Sequence, residues 1–561
     1  MMKTNALKLI RNPYVQIIST YFAAHFFMLI LSGCWWDDWT FMSHDLNYIN
    51  IVASESGRPE WNLLVPLCWS LPNNGRILIF FLYLFISCFV YMTLKNSILF
   101  SEKESLAIAW LFSCYPVNEA RILISNFAYT VGLFFFYLSF MLFMYWNKMK
   151  DSVKKKIFRG ILLCLFFVSF ILNSVLAYYY ILIAYLFVID IKKNNEADII
   201  KKIIISVKNV LFYYPDFFVL PFIYYGFNKI FFPTYGDTFG SYNSVSLTGL
   251  LKCFKYIPLS LIKVFSDVAV RAIQHINIIS ILIVLFAIAF SVLFFSNERT
   301  DSTIKETFLK VVYGLFILAM ALFPYVMVRG RMIDTIGVKG RDCVLVPFGA
   351  AIVIYSLVSL CKGKMRNALF AALLSLGIVS FNSLYIEWQK DYYYQLSMQR
   401  LLNNSIIKNN DTFFIANLNE TDVQGERYYS INALSVNVYG DETRFFVPKV
   451  SEFYVLKNED NMRHAIEALG YSHLMKDYKP DVYCFDAILN YKNEMNWLDV
   501  LKVKTYEMTD HDIFDQYINE HGSMEIVEVD DDFTKLLLDG YDNGSVKHDE
   551  DVLELLLKYS N

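Results

Sequence analysis

Long apolar runs constrain this chain more than any other feature. A run of about 17–25 apolar residues can cross a bilayer as a helix. Inside hydrocarbon only helices and closed barrels satisfy their own backbone. Reading the runs on that basis gives about eleven spans. They lie near 14–34, 76–99, 105–117, 127–146, 157–173, 175–191, 209–231, 275–296, 307–328, 343–361 and 368–387. Those at 105–117, 157–173 and 175–191 are short or run together, and read as candidates for broken or re-entrant segments. The composition agrees: 56% of residues are hydrophobic and 18% charged, where a soluble chain carries about 25% charged. The net charge of −3 and the lack of a basic tract argue against nucleic-acid binding.

Lysine and arginine set the orientation. Lys3, Lys8 and Arg11 precede the first run. Lys148, Lys150, Lys154, Lys155, Lys156 and Arg159 follow the fourth. Lys192, Lys193, Lys201 and Lys202 follow the sixth, and Lys362, Lys364 and Arg366 join the last two. All fall on one side, read as cytoplasmic. An odd number of spans then puts residues 390–561 outside. Long apolar runs stop there. Strand-like pieces such as Thr412–Ala416 and Arg444–Val447 alternate with helical stretches such as Asn461–Leu469, and acids become frequent, as at Asp530-Asp531-Asp532. The expected fold is thus an α-helical polytopic membrane domain, 1–389, followed by an extracytoplasmic soluble α/β domain, 390–561. Leu31-Ser32-Gly33-Cys34 looks like a lipoprotein cleavage box. The apolar run before it, about 20 residues, is longer than the roughly 7–15 of a signal-peptide core, so a retained first helix is the better reading.

The first run ends in Cys34-Trp35-Trp36-Asp37-Asp38-Trp39. Tryptophan favours the membrane–water interface, and charges this close to hydrocarbon are read as functional. The alternative is two solvated acids beside an aromatic belt. On the outward side the first two loops collect acids: Asp37, Asp38, Asp45, Glu55 and Glu60, then Glu119. Cations gather at Arg329, Arg331, Lys339 and Arg341; a headgroup-contact role is their bland alternative. The long stretch 232–274 reads as a loop carrying Asp237, Lys252, Lys255 and Arg271. This division suits sugar transfer from a polyprenyl phosphate. A carboxylate serves as general base for the acceptor hydroxyl, and cations stabilise the departing phosphate. Neighbouring Asp37 and Asp38 point in different directions, so one is the base, with Asp38 preferred. Glu119 either positions a substrate or metal, or simply pairs with Arg121. His44 and His275 read as structural. The nine cysteines show no CxxC or metal spacing. Cys34 and Cys68 share a loop and could pair, though two buried thiols are the simpler reading.

These features resemble the GT-C superfamily of integral-membrane glycosyltransferases. More narrowly, they resemble the phage-carried serotype-converting O-antigen glucosyltransferases of bacteria. The resemblance rests on Asp37-Asp38, then Gly57-Arg58-Pro59, then Pro116-Val117-Asn118-Glu119 followed by Asn126-Phe127-Ala128-Tyr129. It covers about the first 150 residues. It implies an inverting transfer of glucose from undecaprenyl phosphate to lipid-linked O-antigen, at the periplasmic face of the bacterial inner membrane. It also implies that the C-terminal domain helps select the acceptor. The chain departs from the family pattern at Trp39 and Thr40. On this reading the catalytic candidates are Asp38, Asp37 and Glu119, and the substrate-binding candidates are Arg58, Arg121, Arg329, Arg331, Lys339, Arg341, Trp36 and Trp39. The carboxylates could hold a divalent metal, but no DxD-type pair fixes one. The competing readings are a transporter or flippase of lipid-linked glycans, for which Asp216 is the main intramembrane polar group, and a glycan polymerase or ligase.

Overall fold

The computed structural model describes residues 11–36, 38–39, 46–194, 198–235, 246–274, 281–282, 284–285, 287–288, 303–335, 337–416, 428–441, 443–455, 484–493 and 495–559. Asp37, His44, Asp45, Asp237, His275, Lys3, Lys8, most of the run near 275–296 and the stretch Asn461–Leu469 lie outside them. Contacts divide the chain into two compact units. One is Met1–Ile30 with Ala53–Ser383, and the other is Leu31–Val52 with Leu384–Asn561.

The first unit is a helical bundle. In chain order the helices are α1 (Pro13–His25), α2 (Leu46–Glu55), α3 (Trp61–Ser70), α4 (Arg76–Lys95), α5 (Glu102–Cys114), α6 (Phe127–Lys148), α7 (Val153–Ser169), α8 (Val175–Tyr178), α9 (Tyr180–Lys193), α10 (Ile199–Tyr213), α11 (Pro215–Phe231), α12 (Leu247–Gln274), α13 (Ile304–Arg329), α14 (Val346–Val358) and α15 (Gly363–Leu402). α2 and α15 carry residues of both units. Among the described residues, five helices are long and apolar enough to cross a membrane: 76–95, 124–148, 175–193, 304–329 and 363–402. The count reaches seven if the bent pairs α10–α11 and 337–343 with α14 each form one span. All seven overlap runs read from the sequence. The first run behaves differently. α1 ends at His25, a single 3₁₀ turn covers Phe26–Leu29, and residues 31–35 then have no regular secondary structure. The runs near 105–117 and 157–173 form α5 and α7, of 13 and 17 residues. The stretch 232–274, read as a loop, contains the 28-residue α12.

The core of this unit is aromatic. Phe136 packs against Phe166 and Tyr178, and Phe348 packs on Tyr137 with ring centroids 5.8 Å apart. α13 and α14 cross where each lacks a side chain. A Cβ on Gly349 would lie 2.8 Å from the Leu318 backbone nitrogen, and one on Gly314 would lie 2.8 Å from Val353. Small residues are what permit such close helix approach in apolar surroundings. Several charges inside the bundle are paired. Ser101 and Glu104 form a capping box at the start of α5, and the other Glu104 oxygen binds Lys310 Nζ of α13 at 2.6 Å.

In the second unit four strands, β1 (Thr412–Ala416), β2 (Phe445–Val447), β3 (Ala487–Asn493) and β4 (Gly522–Glu528), make a sheet of order β2-β1-β3-β4. β1 is parallel to β2 and β3, and β4 is antiparallel to β3. Every residue of β1 is buried, as expected of a strand covered on both faces. Phe413 stacks on Phe446 at 4.8 Å, and Phe414 meets Phe453 and Phe485. The last turns of α15 enter a second cluster, in which Tyr393 packs with Val500, Val503, Phe514 and Ile518. The acidic run 530–532 is a helix start. Asp530 accepts from the Phe533 N–H at 2.9 Å, and acids in a first turn suit the helix dipole.

Replacing Gly349 with Val should force α13 and α14 apart at an overpacking cost of about 1–3 kcal/mol. A thermal melt of the purified variant in detergent is expected to show a clear drop in melting temperature, whereas Gly160→Val, at a position with open space around it, should leave it near the parent value.

Candidate functional site

Residues 116–122 form a tight turn that begins with a reversal. Asn118 has φ +58°, a conformation Asn tolerates better than most residues, and its Nδ2 donates to the Tyr83 hydroxyl at 2.9 Å. The reversal sends Glu119 and Arg121 to different partners. Glu119 is 1% exposed. One of its oxygens accepts from the Gly337 backbone N–H at 2.7 Å, and the other is ion-paired with Arg271 of α12. Arg121 stacks between the Tyr83 and Phe381 rings at 4.8 and 4.6 Å. It donates to the Asn118 carbonyl at 3.2 Å and lies 3.4 Å from His25 Nε2. The Glu119–Arg121 pair considered from the sequence does not form; Arg271 takes that place.

Gly337–Cys343, a run of 3₁₀ turns, carries the cations Lys339 and Arg341. It is held from three sides. Glu119 takes its first N–H. Gly340 packs so closely that a Cβ would lie 3.0 Å from the Thr335 carbonyl and 3.6 Å from the Glu119 nitrogen. Asp342, 1% exposed, receives both Arg329 guanidinium nitrogens at 3.0 Å. α12 supplies a further row of charges at Lys263, Asp267 and Arg271, spaced by four and so on one face. Lys263 pairs with Asp334 at 3.3 Å, and Asp267 accepts from the Thr335 hydroxyl. Arg331 reaches Asp334 at 3.6 Å and stays 63% exposed. Lys339 is exposed.

The predicted cations therefore divide. Arg329 is neutralised by Asp342. Lys339 and Arg341 sit in the run whose Gly337 N–H is held by the buried Glu119, and Arg331 precedes it beside Asp334; a cluster of this kind suits reception of an anionic group such as a phosphate. No hydrogen bond or ion pair joins Arg58 or Arg121 to Glu119 or to the 329–341 segment among the described residues. Arg58 instead donates to the Ile171 carbonyl at 2.6 Å, sits 3.6 Å from Glu60 and lies over the Tyr129 ring at 5.7 Å. Two sequence motifs, Gly57-Arg58-Pro59 and Asn126–Tyr129, thus touch. Burial raises the Glu60 carboxyl above its ordinary range, with Arg58 pulling the other way. Lys263, Asp267 and Asp342 were not singled out from the sequence. The four-residue spacing along α12 is the signal that marks the first two.

The segment with the opening tryptophans belongs to the second unit. The Ser32 hydroxyl donates to Glu507 at 3.0 Å, and the Ser32 N–H donates to Gln389 at 3.1 Å. Gly33, at φ +103°, lies under the Tyr392 ring. Trp35 meets Trp388 edge-on at 5.1 Å. Trp36 adopts φ +51°, after which the Asp38 N–H bonds the Trp35 carbonyl at 3.0 Å. Asp38 is 0% exposed and Trp39 6% exposed. Trp35 and Trp39 are thus packed inside protein, not laid at a membrane surface as the sequence suggested. Cys34 and Cys68 are both buried and form no disulfide with each other. Among the described residues no group of three or more His, Cys, Asp or Glu side chains could hold a metal ion. No protein-family model, curated protein or solved structure matches the chain significantly.

Removing Glu119 or Arg271 alone leaves the other charge buried without its partner, a loss of about 3–5 kcal/mol. Glu119→Ala and Arg271→Ala should each lower the melting temperature strongly. The double variant should melt well above the sum of the two losses, because contacting residues couple. Simple additivity in the melts would show that the pair does not hold the turn.

Proposed function

We propose that this chain is an inverting GT-C-type glycosyltransferase with about eleven spans. It moves a hexose, glucose by the resemblance, from a polyprenyl phosphate to a lipid-linked glycan such as O-antigen. In this reading the N-terminus is cytoplasmic in a bacterial inner membrane and residues 390–561 are periplasmic. The observation that carries it is the Glu119 clamp. It links Pro116–Glu119, a segment that the family resemblance selects, to the cationic run 329–341, which the chemistry of a phosphate leaving group selects independently. The contact between Arg58 and Tyr129 lends a second, weaker support.

The roles follow from the charge each group carries. Asp38 takes the proton from the acceptor hydroxyl as that oxygen attacks the anomeric carbon. The bond from that carbon to the phosphate oxygen breaks on the opposite face, which inverts the anomer. The departing polyprenyl phosphate carries the negative charge, and Arg331, Lys339 and Arg341 stabilise it. Glu119, which is engaged by Arg271 and Gly337, positions this cationic segment and does not itself act as the base.

Glycan analysis of cells expressing single variants tests these assignments. Asp38→Asn should lower sugar addition about 10²–10⁴-fold, the range for loss of a general base. Lys339→Ala and Arg331→Ala should each weaken donor use about tenfold or more, since a charge-assisted hydrogen bond contributes about 1.5–3 kcal/mol. Sugar addition at the parent rate in Asp38→Asn and Asp37→Asn alike would remove the base assignment. A parent chain that adds no sugar but moves lipid-linked glycan across the membrane would establish the transporter.

A further inference from the structure

α10 is too short to cross a bilayer. Its 15 residues span about 22 Å at about 1.5 Å each, against a hydrocarbon core of about 30 Å. It is also too basic, with Lys201, Lys202 and Lys208 in the same 15 residues. Its residues are arranged by face. Ile200, Ile203, Ile204, Val207 and Leu211 recur at helical spacing and make one continuous stripe. That stripe is exposed: 69% at Ile200, 50% at Ile204 and 45% at Leu211. Asn209, opposite the stripe, donates to Asp190 of α9 at 3.1 Å, and Ser206 and Val210, along one edge between the two, are buried. Lys201 and Lys208 flank the stripe and are exposed. Phe212 and Tyr213, both exposed, close the helix with aromatic rings of the kind that favour a membrane interface.

The corner after α10 is fixed. Pro215 cannot donate its nitrogen to the preceding helix and starts a new one, so α11 leaves at 63°. Arg159 of α7 locks the bend, binding Asp216 with Nε at 2.6 Å and the Tyr213 carbonyl at 3.0 Å. The opposite end of α10 begins shortly after Lys193. Both ends of α10 are therefore tied to the same end of the bundle, and that end is cationic. The apolar spans 76–95, 124–148 and 175–193 all finish there in lysine. Lys148 donates to Asn96 at 2.9 Å and Lys192 to the Ile98 carbonyl at 3.3 Å, which brings the three span ends together.

We infer that α10 lies flat in the surface of an anionic bilayer, with its isoleucine stripe among the upper acyl chains and Lys201 and Lys208 on headgroup phosphates. An exposed apolar stripe flanked by lysines is the recognised form of an interfacial helix, and juxtamembrane lysines are attracted to anionic lipid. The occupant of this face is thus the lipid surface itself. This inference needs only the membrane-spanning character of the bundle, not the glycosyl-transfer reading.

Nitroxide accessibility on the full-length protein in nanodiscs tests it. Ile204→Cys and Lys208→Cys are labelled in a Cys164→Ser background, with unsubstituted Cys164→Ser as the blank and Phe85→Cys, an exposed position within a span, as the deep reference. The label at 204 should be open to oxygen and shielded from an aqueous nickel chelate, at a depth shallower than at 85, while that at 208 should be open to the chelate. Adding phosphatidylglycerol to phosphatidylcholine nanodiscs should increase immersion at 204, and Lys201→Gln with Lys202→Gln and Lys208→Gln should abolish that increase. A label at 204 as deep as that at 85 would show a crossing helix. Chelate access equal at 204 and 208 would show that no lipid covers the stripe. Shielding of 204 from both reagents would show a protein partner or second copy there. Immersion indifferent to phosphatidylglycerol would remove the anionic headgroup. Each of these four results overturns the inference.

Discussion

Glu119 carries a negative charge into the interior of the first unit, and three stretches of chain distant in sequence depend on where it is neutralised. Its ion pair with Arg271 fixes the end of α12, and its bond to the Gly337 N–H fixes the start of the cationic turns. A buried charge is costly unless it is paired and hydrogen-bonded, and losing one partner costs more than the pair contributes. The clamp is therefore a geometric constraint more than a source of stability. It ties down the start of the 337–343 segment, on which Lys339 is exposed.

The same rule recurs through the bundle. Glu104 with Lys310, Asp342 with Arg329 and Asp216 with Arg159 each join two elements where charges must enter an apolar body. The apolar residues decide which helices assemble. The few buried charges decide how their ends are tied. Cations collect at two places: the 329–341 segment, with acids close beside it, and the lysine-rich end of the bundle beside α10. The phosphate-handling role proposed for the first and the lipid-surface role inferred for the second would be separate uses of one chemistry.

The spans were legible because hydropathy alone dictates them: the runs near 76–99, 127–146, 307–328 and 368–387 are helices in the structure. The strands at 412–416 and 445–447 were legible from their runs of aromatic and aliphatic residues. α12 was not, because Lys252, Lys255, Lys263 and Asp267 break its apolar pattern into what looks like a polar loop. β3 and β4 escaped because Asn490, Lys492 and Glu525 interrupt their apolar runs. Glu119 stands out in the sequence as a candidate, but the partner its spacing offers is Arg121, whereas the structure gives it Arg271. The left-handed turn at Asn118 and the approach of a residue 152 positions away are long-range facts that local spacing does not contain. The tryptophans of residues 35–39 suggested an interface by composition, whereas packing against Trp388 and its surroundings buries Trp35 and Trp39.

Sugar transfer itself is the central claim, and it is measured most directly with the purified protein in nanodiscs, given a radiolabelled hexose on polyprenyl phosphate and a lipid-linked glycan acceptor. The account predicts one labelled hexose on the glycan for each polyprenyl phosphate released, with the anomeric configuration opposite to that of the donor. Recovery of intact donor, with no label on the acceptor across the full range of lipid-linked glycans offered, would contradict it.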